Sequence, residues 1–328
     1  MQKQKIVIDP GSSNLTIYGG GYILREPNVC VMRRGNHIEL VAVGSDALKL
    51  TDLPENCSLI YPVKEGVVSR PDVFAKVLEY YLTDIISFSI FSPVELYVLI
   101  PSGFSSAERE SMESAVQRTG HKDITLIENA LGFVPVLGGG DRAICSFGGG
   151  STEVAVVNEE GIISACTVNI GGNTINEAIV EQVLKTYNLR ISNSTAEKLK
   201  IGIGSLYDND SSVMTITGQD VLDGKIKNVE ISAESLRAPI VWCYKKIAEL
   251  IESILTTVPY GKIANVTANG LSCAGDGANL RGLTDYLSKY LKLPVNIVPE
   301  PEICSVKGAY KLVTDTTNKY AMILGNKR

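Results

Sequence analysis

Hydrophobic and polar positions alternate between two regimes along the chain. Lys5–Tyr18 crowds apolar residues on both sides of a glycine-bearing turn, which predicts a buried strand, a tight turn and a second strand. Ile144–Val157 repeats that design, and Ile162–Val168 adds a third strand as Glu26–Met32 does in the first half. Two copies of one strand–turn–strand unit predict two similar lobes. We place the lobes at 1–140 and 141–312, with small inserted subdomains at about 29–65 and 176–235 and a tail at 313–328. Within the first insert the pattern gives short strands at Val29–Met32 and Ile38–Val43 and a helix at Ser45–Leu50.

Helical spacing governs Pro71–Phe88, which runs into a strand at Leu96–Ile100. Ser105–Arg118 reads as an amphipathic helix, with Glu108 placed to complete a capping box opened by Ser105 or Ser106. Ala233–Thr257 is helical, and Trp242 within it reads as core. Ile263–Ala268 reads as a strand, Leu283–Leu291 as the last helix and Val295–Val298 as the closing strand.

The length, 328 residues, suits two lobes of ordinary domain size, and 45% hydrophobic with 20% charged residues describes a packed protein. A net charge of −5 argues against a dedicated nucleic-acid surface, so no nucleic-acid partner is expected. The seven cysteines are scattered without a close pair, so neither a zinc site nor a disulfide framework is expected, and reduced thiols are. His37 and His121 read as lone surface residues. With no signal peptide and no run of the roughly 18–20 apolar residues that span a bilayer, a soluble, cytoplasmic protein is expected.

Asp9-Pro-Gly-Ser-Ser-Asn14 places Gly11, Ser12, Ser13 and Asn14 in a tight turn after a strand. Small residues there let backbone N–H groups and hydroxyls wrap a phosphate, and Asp9 is placed to hold a metal ion through water. A similar turn at Gly148, Gly149, Gly150, Ser151 and Thr152 can grip from the opposite side. A third, with Gly275, Asp276, Gly277 and Ala278, would face a sugar and base. Any one such turn is ordinary, since glycine simply permits the geometry. The ordered trio describes a nucleotide clamped between two lobes.

At these residues the chain resembles the actin, sugar-kinase and heat-shock-chaperone superfamily, and in finer detail the MreB family of bacterial actin-like cytoskeletal proteins. Glu26-Pro27 before Asn-Val, Pro62-Val-Lys-Glu-Gly-Val67, Ile100-Pro-Ser-Gly103, Glu108-Arg109, Ile170-Gly-Gly172, Asn176-Glu-Ala-Ile179, Thr195-Ala-Glu197 and Leu293-Pro-Val295 echo that family in order. The resemblance implies an α/β, actin-like fold: two duplicated lobes, each a ribonuclease H-like mixed sheet flanked by helices, with a nucleotide cleft between them. It implies ATP or ADP with Mg²⁺, and polymerisation into paired protofilaments. It also implies a location at the cytoplasmic face of the cell membrane, a part in cell shape, and partners among paralogous filament and morphogenesis proteins. Gly171 and Gly172 match the family's text beside the second phosphate turn, and Glu197 and Lys200 match its helix facing the adenosine. Ile90 and Phe91, with Phe88, match an apolar loop that dips into the membrane.

Departures from the family pattern fall on the nucleotide chemistry. Ser146 stands where an Asp opens the second phosphate turn and helps hold the water shell of Mg²⁺; a hydroxyl supplies no charge there. Asn129 stands where a Glu polarises the attacking water, and an amide orients water without accepting its proton. Ser151 replaces a Thr and keeps the hydroxyl. Asp276 interrupts a glycine triplet with a carboxylate that repels phosphates unless it turns outward or meets a cation. Asn173 takes a position often held by Asp. Together they predict a filament former with weak or lost ATP hydrolysis. A small-molecule kinase of the same superfamily would need an acidic base facing a sugar, which is not recognisable here. A chaperone would need an appended peptide-binding domain, whereas the chain ends soon after the fold closes. A regulatory partner that does not polymerise alone remains an alternative.

Overall fold

The computed structural model describes residues 3–34, 39–50, 53–87, 93–317 and 323. They form two compact units that do not follow chain order. One comprises residues 1–140, 157–167 and 302–328, the other 141–156 and 168–301.

In the first unit, strands run in the order Ile124–Glu128, Val94–Ile100, Gln4–Pro10, Asn14–Gly19 and Tyr22–Pro27. The first three are parallel and the last two antiparallel, so the opening hairpin read from sequence lies in this sheet. Ile6, Val7 and Ile8 have no exposed surface, as expected of a strand covered on both faces. Helices Pro71–Ser87 and Ser106–Gln117 pack together. The capping box at Ser105 and Glu108 is present in both directions. A small antiparallel sheet orders Glu39–Val43, Cys30–Arg33 and Cys57–Ile60, followed in sequence by no further strand until the Val63–Lys64 and Val67–Val68 hairpin.

A helix at Cys304–Thr314 was not expected from the sequence. It packs on Gln4–Pro10, Asn14–Gly19 and the short helix Asn129–Gly132, which draws residues placed at the end of the second lobe into the first unit. Lys5 Nζ donates to the Val313 carbonyl at 2.5 Å, a cation satisfying the helix C-terminus. Its pattern is hard to read because Gly308 and Ser305, buried by close approach to Gly132, interrupt the apolar spacing. The readings at His37, Phe88, Ile90 and Phe91 lie outside the described residues.

In the second unit, Arg142–Phe147, Leu271–Ala274 and Val295–Ile297 are parallel neighbours. Helix Gly172–Tyr187 packs against the 25-residue helix Ala233–Thr257. A small sheet orders Leu189–Arg190, Val213–Asp220 and Ile226–Ser232. The strand expected at Ile263–Ala268 is instead part of helix Tyr260–Asn269. Ile263 and Val266 sit three apart, one helical face, with Val266 buried, and Gly270 at φ +75° ends the helix. Trp242 is not core: it is 56% exposed, because Leu236, Ile240, Cys243, Ile247 and Ile251 take the buried stripe one position away.

Candidate functional site

The first unit holds its glycine turn between a strand end and a hairpin start. Asp9 lies inside strand Gln4–Pro10, opposite Thr16. Gly11 cannot carry a side chain, since a Cβ there would meet the Asn14 carbonyl at 2.6 Å. Asn28, fully buried, grips the turn twice: its Nδ2 donates to the Gly11 carbonyl at 2.8 Å and its backbone amide to the Ser13 carbonyl at 2.9 Å. Ser12 is buried, and its Oγ accepts the Gly66 amide at 2.9 Å. That acceptor role leaves the hydroxyl proton to point elsewhere.

Asn129 is the first residue of helix Asn129–Gly132, directly after strand Ile124–Glu128. Glu128 Oε1 accepts from Arg109 Nη2 at 2.6 Å, with Glu128 largely buried, and Arg109 Nε also donates to the Phe104 carbonyl. The acid next to Asn129 is therefore held by a guanidinium.

In the second unit Ser146 is the penultimate residue of strand Arg142–Phe147 and pairs with Ala274. The turn that follows is braced by the start of helix Gly172–Tyr187. The amides of Gly172 and Asn173 donate to the carbonyls of Gly148 and Gly149 at 3.0 and 2.8 Å. The Gly148 amide donates across the turn to the Ser151 carbonyl at 2.9 Å. The amides of Gly149 and Gly150 find no acceptor among the described residues. Gly171 is the closest point of approach, because a Cβ there would meet the Gly149 carbonyl at 2.6 Å and the Ser151 nitrogen at 2.7 Å. Thr152 is buried and its hydroxyl donates to the Ile170 carbonyl at 2.6 Å, so it fastens the turn from behind. Of the two hydroxyls in the turn, Ser151 is the more exposed.

Glu197 and Lys200 do come together with this turn. Lys200 Nζ donates to Glu197 Oε2 at 2.7 Å and to the Gly172 carbonyl at 3.0 Å, and buried Asn176 Nδ2 donates to the same Glu197 oxygen at 2.5 Å. This is a structural network and not merely a solvated helix face. The third glycine turn folds as a short 3₁₀ helix, Asp276–Asn279, with Ala278 buried. Gly275 adopts φ +79° and donates its amide to the Pro301 carbonyl at 2.7 Å. Phe147 and Tyr244 pack beneath, ring centroids 5.7 Å apart, and the Tyr244 hydroxyl donates to the Gly277 carbonyl at 3.1 Å. Burial raises the Tyr244 phenol well above its ordinary range, so it stays a neutral donor. Asp276 is exposed.

Sequence reading assigned no role at the site to Asn28, Gly66, Arg109, Asn176 or Tyr244. Four of them fell within stretches that echo the family, which was the available signal; Tyr244 sat unremarked in a long helix. Among the described residues no group of three or more His, Cys, Asp or Glu side chains is arranged to hold a metal ion. A magnesium ion held by one carboxylate, water and phosphate oxygens needs no such cage.

The family model described as MreB/Mbl protein matches residues 3–321. The cell shape-determining protein MreB of Escherichia coli (strain K12) is 29% identical over 324 residues, covering 95% of this chain and 93% of that one. The crystal structure of MreB5 of Spiroplasma citri bound to ADP superposes with a TM-score of 0.89 at 23% identity, covering 98% of both chains. The MamK double helical filament superposes at 0.77 with 19% identity, covering 96% of this chain and 99% of that one. These two likenesses establish the actin-like fold. The chain belongs to the MreB/Mbl family.

Proposed function

We propose that this chain is a nucleotide-binding cytoskeletal protein that polymerises and helps determine cell shape, with slow or lost ATP hydrolysis. The observation that carries nucleotide binding is the Gly148–Thr152 turn, whose Gly149 and Gly150 amides find no acceptor among the described residues while hydrogen bonds brace the backbone around them. The residues fit a phosphate ligand for that reason. In the proposal Gly11, Ser12, Ser13 and Asn14, and Gly148 to Thr152, serve the phosphates, with Gly171 and Gly172 bracing the second turn. Glu197, Lys200 and Gly275 to Ala278 serve sugar and base. Asp9, with Ser146, would hold Mg²⁺ through water; the bound ion supplies positive charge against the phosphates.

The reading of weak hydrolysis rests on what this chain's side chains do to a proton. Asn129 orients a water but does not take its proton, and Glu128 beside it is engaged by Arg109. Polymerisation and shape determination are supported by relatives: the Escherichia coli protein is named for cell shape, and MamK is seen as a double helical filament. Nucleotide binding is further supported by the ADP bound to MreB5 of Spiroplasma citri. Contact of Phe88, Ile90 and Phe91 with the inner face of the membrane, and pairing with paralogous filament or morphogenesis proteins, complete the proposal.

The test is phosphate release from Mg-ATP and sedimentation, read on the same samples. Pelletable polymer with phosphate release about 10²-fold or more below a variant carrying Glu at position 129 is the expected result. Rapid hydrolysis would remove the impaired-site reading, and a protein that never pellets with ATP or ADP would remove the filament.

A further inference from the structure

The only tryptophan of the chain stands in the open. Trp242 is 56% exposed midway along helix Ala233–Thr257, although tryptophan is the residue most enriched where proteins bury surface against partners. The stripe it shares along the helix runs through Ala238, Trp242, Lys246, Glu249, Ser253 and Thr256, successive three- and four-residue steps on one face. Lys246 and Glu249 are joined at 2.9 Å, with side chains 47% and 40% exposed, so both charges remain open to a partner. Beyond them the side chains are small. The Thr256 hydroxyl donates to the Ser253 carbonyl of its own helix at 2.6 Å, which leaves its methyl group as the surface it offers. From the adjoining helix Leu283–Leu291, Tyr286 and Tyr290 stack with centroids 6.3 Å apart, and Tyr290 lies within electrostatic reach of Glu249 and Glu252.

That order of residues is self-complementary in one orientation only. Laid antiparallel on a second copy about a two-fold axis between positions 247 and 248, Lys246 faces Glu249 of the second copy and Glu249 faces its Lys246. In the same register Trp242 lies over Ser253 of the second copy, the large side chain against the small. A parallel arrangement would set Lys246 against Lys246, like charge on like. Two-fold contacts use one patch twice and demand this kind of pattern. We propose that the Trp242–Thr256 face of this helix is a contact between two copies of the chain, related by a two-fold axis beside Lys246 and Glu249. The inference rests on the self-association proposed above and names the surface that carries it.

Because Trp242 is the sole tryptophan, its fluorescence reports on this face alone. Purified full-length protein is titrated in concentration with nucleotide present, and tryptophan emission is read beside sedimentation. The emission maximum is expected to move to shorter wavelength as polymer appears. Trp242→Ala, with its melting temperature unchanged, is expected to raise the concentration needed for polymer about tenfold or more. Lys246→Glu is expected to raise it too, and Lys246→Glu with Glu249→Lys to return it towards the parent. Polymer that forms with unaltered emission, and at the parent's concentration in Trp242→Ala, would overturn this surface while leaving self-assembly standing. A parent protein that never associates would overturn both.

Discussion

The backbone amide of Gly66 donates to the hydroxyl oxygen of Ser12 at 2.9 Å, tying the Glu65–Gly66 turn to the first glycine-rich turn of the chain. Glu65 adopts φ +52° and Gly66 φ +80°, the left-handed pair that a two-residue hairpin between Val63–Lys64 and Val67–Val68 requires. A non-glycine residue in that region is held there by its surroundings, and Ser12 is part of what holds it. Ser12→Ala leaves the half-buried Gly66 amide without its acceptor. A loss of about 0.5–1.5 kcal/mol in unfolding free energy is expected by urea denaturation. An unchanged midpoint would mean that solvent replaces the serine.

Gly171 has no room for a methyl group against Gly149 and Ser151. In Gly171→Ala the helix start must separate from the turn it braces, at a cost of about 1–3 kcal/mol. Affinity for a fluorescent ADP analogue should fall with it, by about tenfold for each 1.4 kcal/mol lost in the bound geometry. Parent-like affinity in this variant would show that the Gly148–Thr152 turn does not hold phosphate.

On the proposed assignment, Asn129→Glu combined with Ser146→Asp would supply a general base and a second acidic group for the magnesium ion. Phosphate release from Mg-ATP is expected to rise by about 10²–10⁴-fold over the parent. The single Asn129→Glu variant separates the two contributions. If neither variant gains activity, the block on hydrolysis lies elsewhere in the chain.

Asp210 is held well below the ordinary carboxylate range, first by the Ser212 hydroxyl and backbone amide, and also by Arg281. A depressed carboxylate contributes stability that is complete above the unfolded value of about 3.9 and is lost as pH falls through the folded value. Thermal melts of the parent between about pH 5 and pH 3 should therefore drop more steeply than those of Asp210→Asn. Parallel curves would show that Asp210 is not coupled to folding.

Five of the seven cysteines are buried: Cys30, Cys145, Cys243, Cys273 and Cys304. Burial pushes the thiols of Cys30, Cys273 and Cys304 up to about 12 and that of Cys243 to about 11, and raises Cys145 well above its usual value. Since the thiolate is the reactive form, iodoacetamide at neutral pH should label Cys57 and Cys166 first. Mass spectrometry of the native protein reads this directly; early labelling of Cys273 would contradict the burial.

The sequence by itself determined the repeated strand–turn–strand units, two strands of the first small sheet and the places where glycine turns break buried strands. Those features are local: runs of Ile6–Ile8 type, a Ser105–Glu108 box and a glycine at a strand end each carry their signal within a few residues. Asn129 and Ser146, at the two positions where the family resemblance leads one to expect acids, were equally legible, because that is a statement about residue identity. Tertiary structure alone decided what depends on residues distant in the chain. Helix Cys304–Thr314 joins the first unit because Lys5 meets its end and Gly308 meets Gly132. The Ile263–Ala268 run folds as helix because its two large apolar residues share one face, whichever strand propensity they carry. Asn28, Gly66 and Arg109 reach the site only through pairings that no periodicity encodes, and Trp242 stays outside the core because the neighbouring stripe fills it first. A side chain's partner is fixed by the path of the whole backbone, whereas its propensity is fixed where it stands.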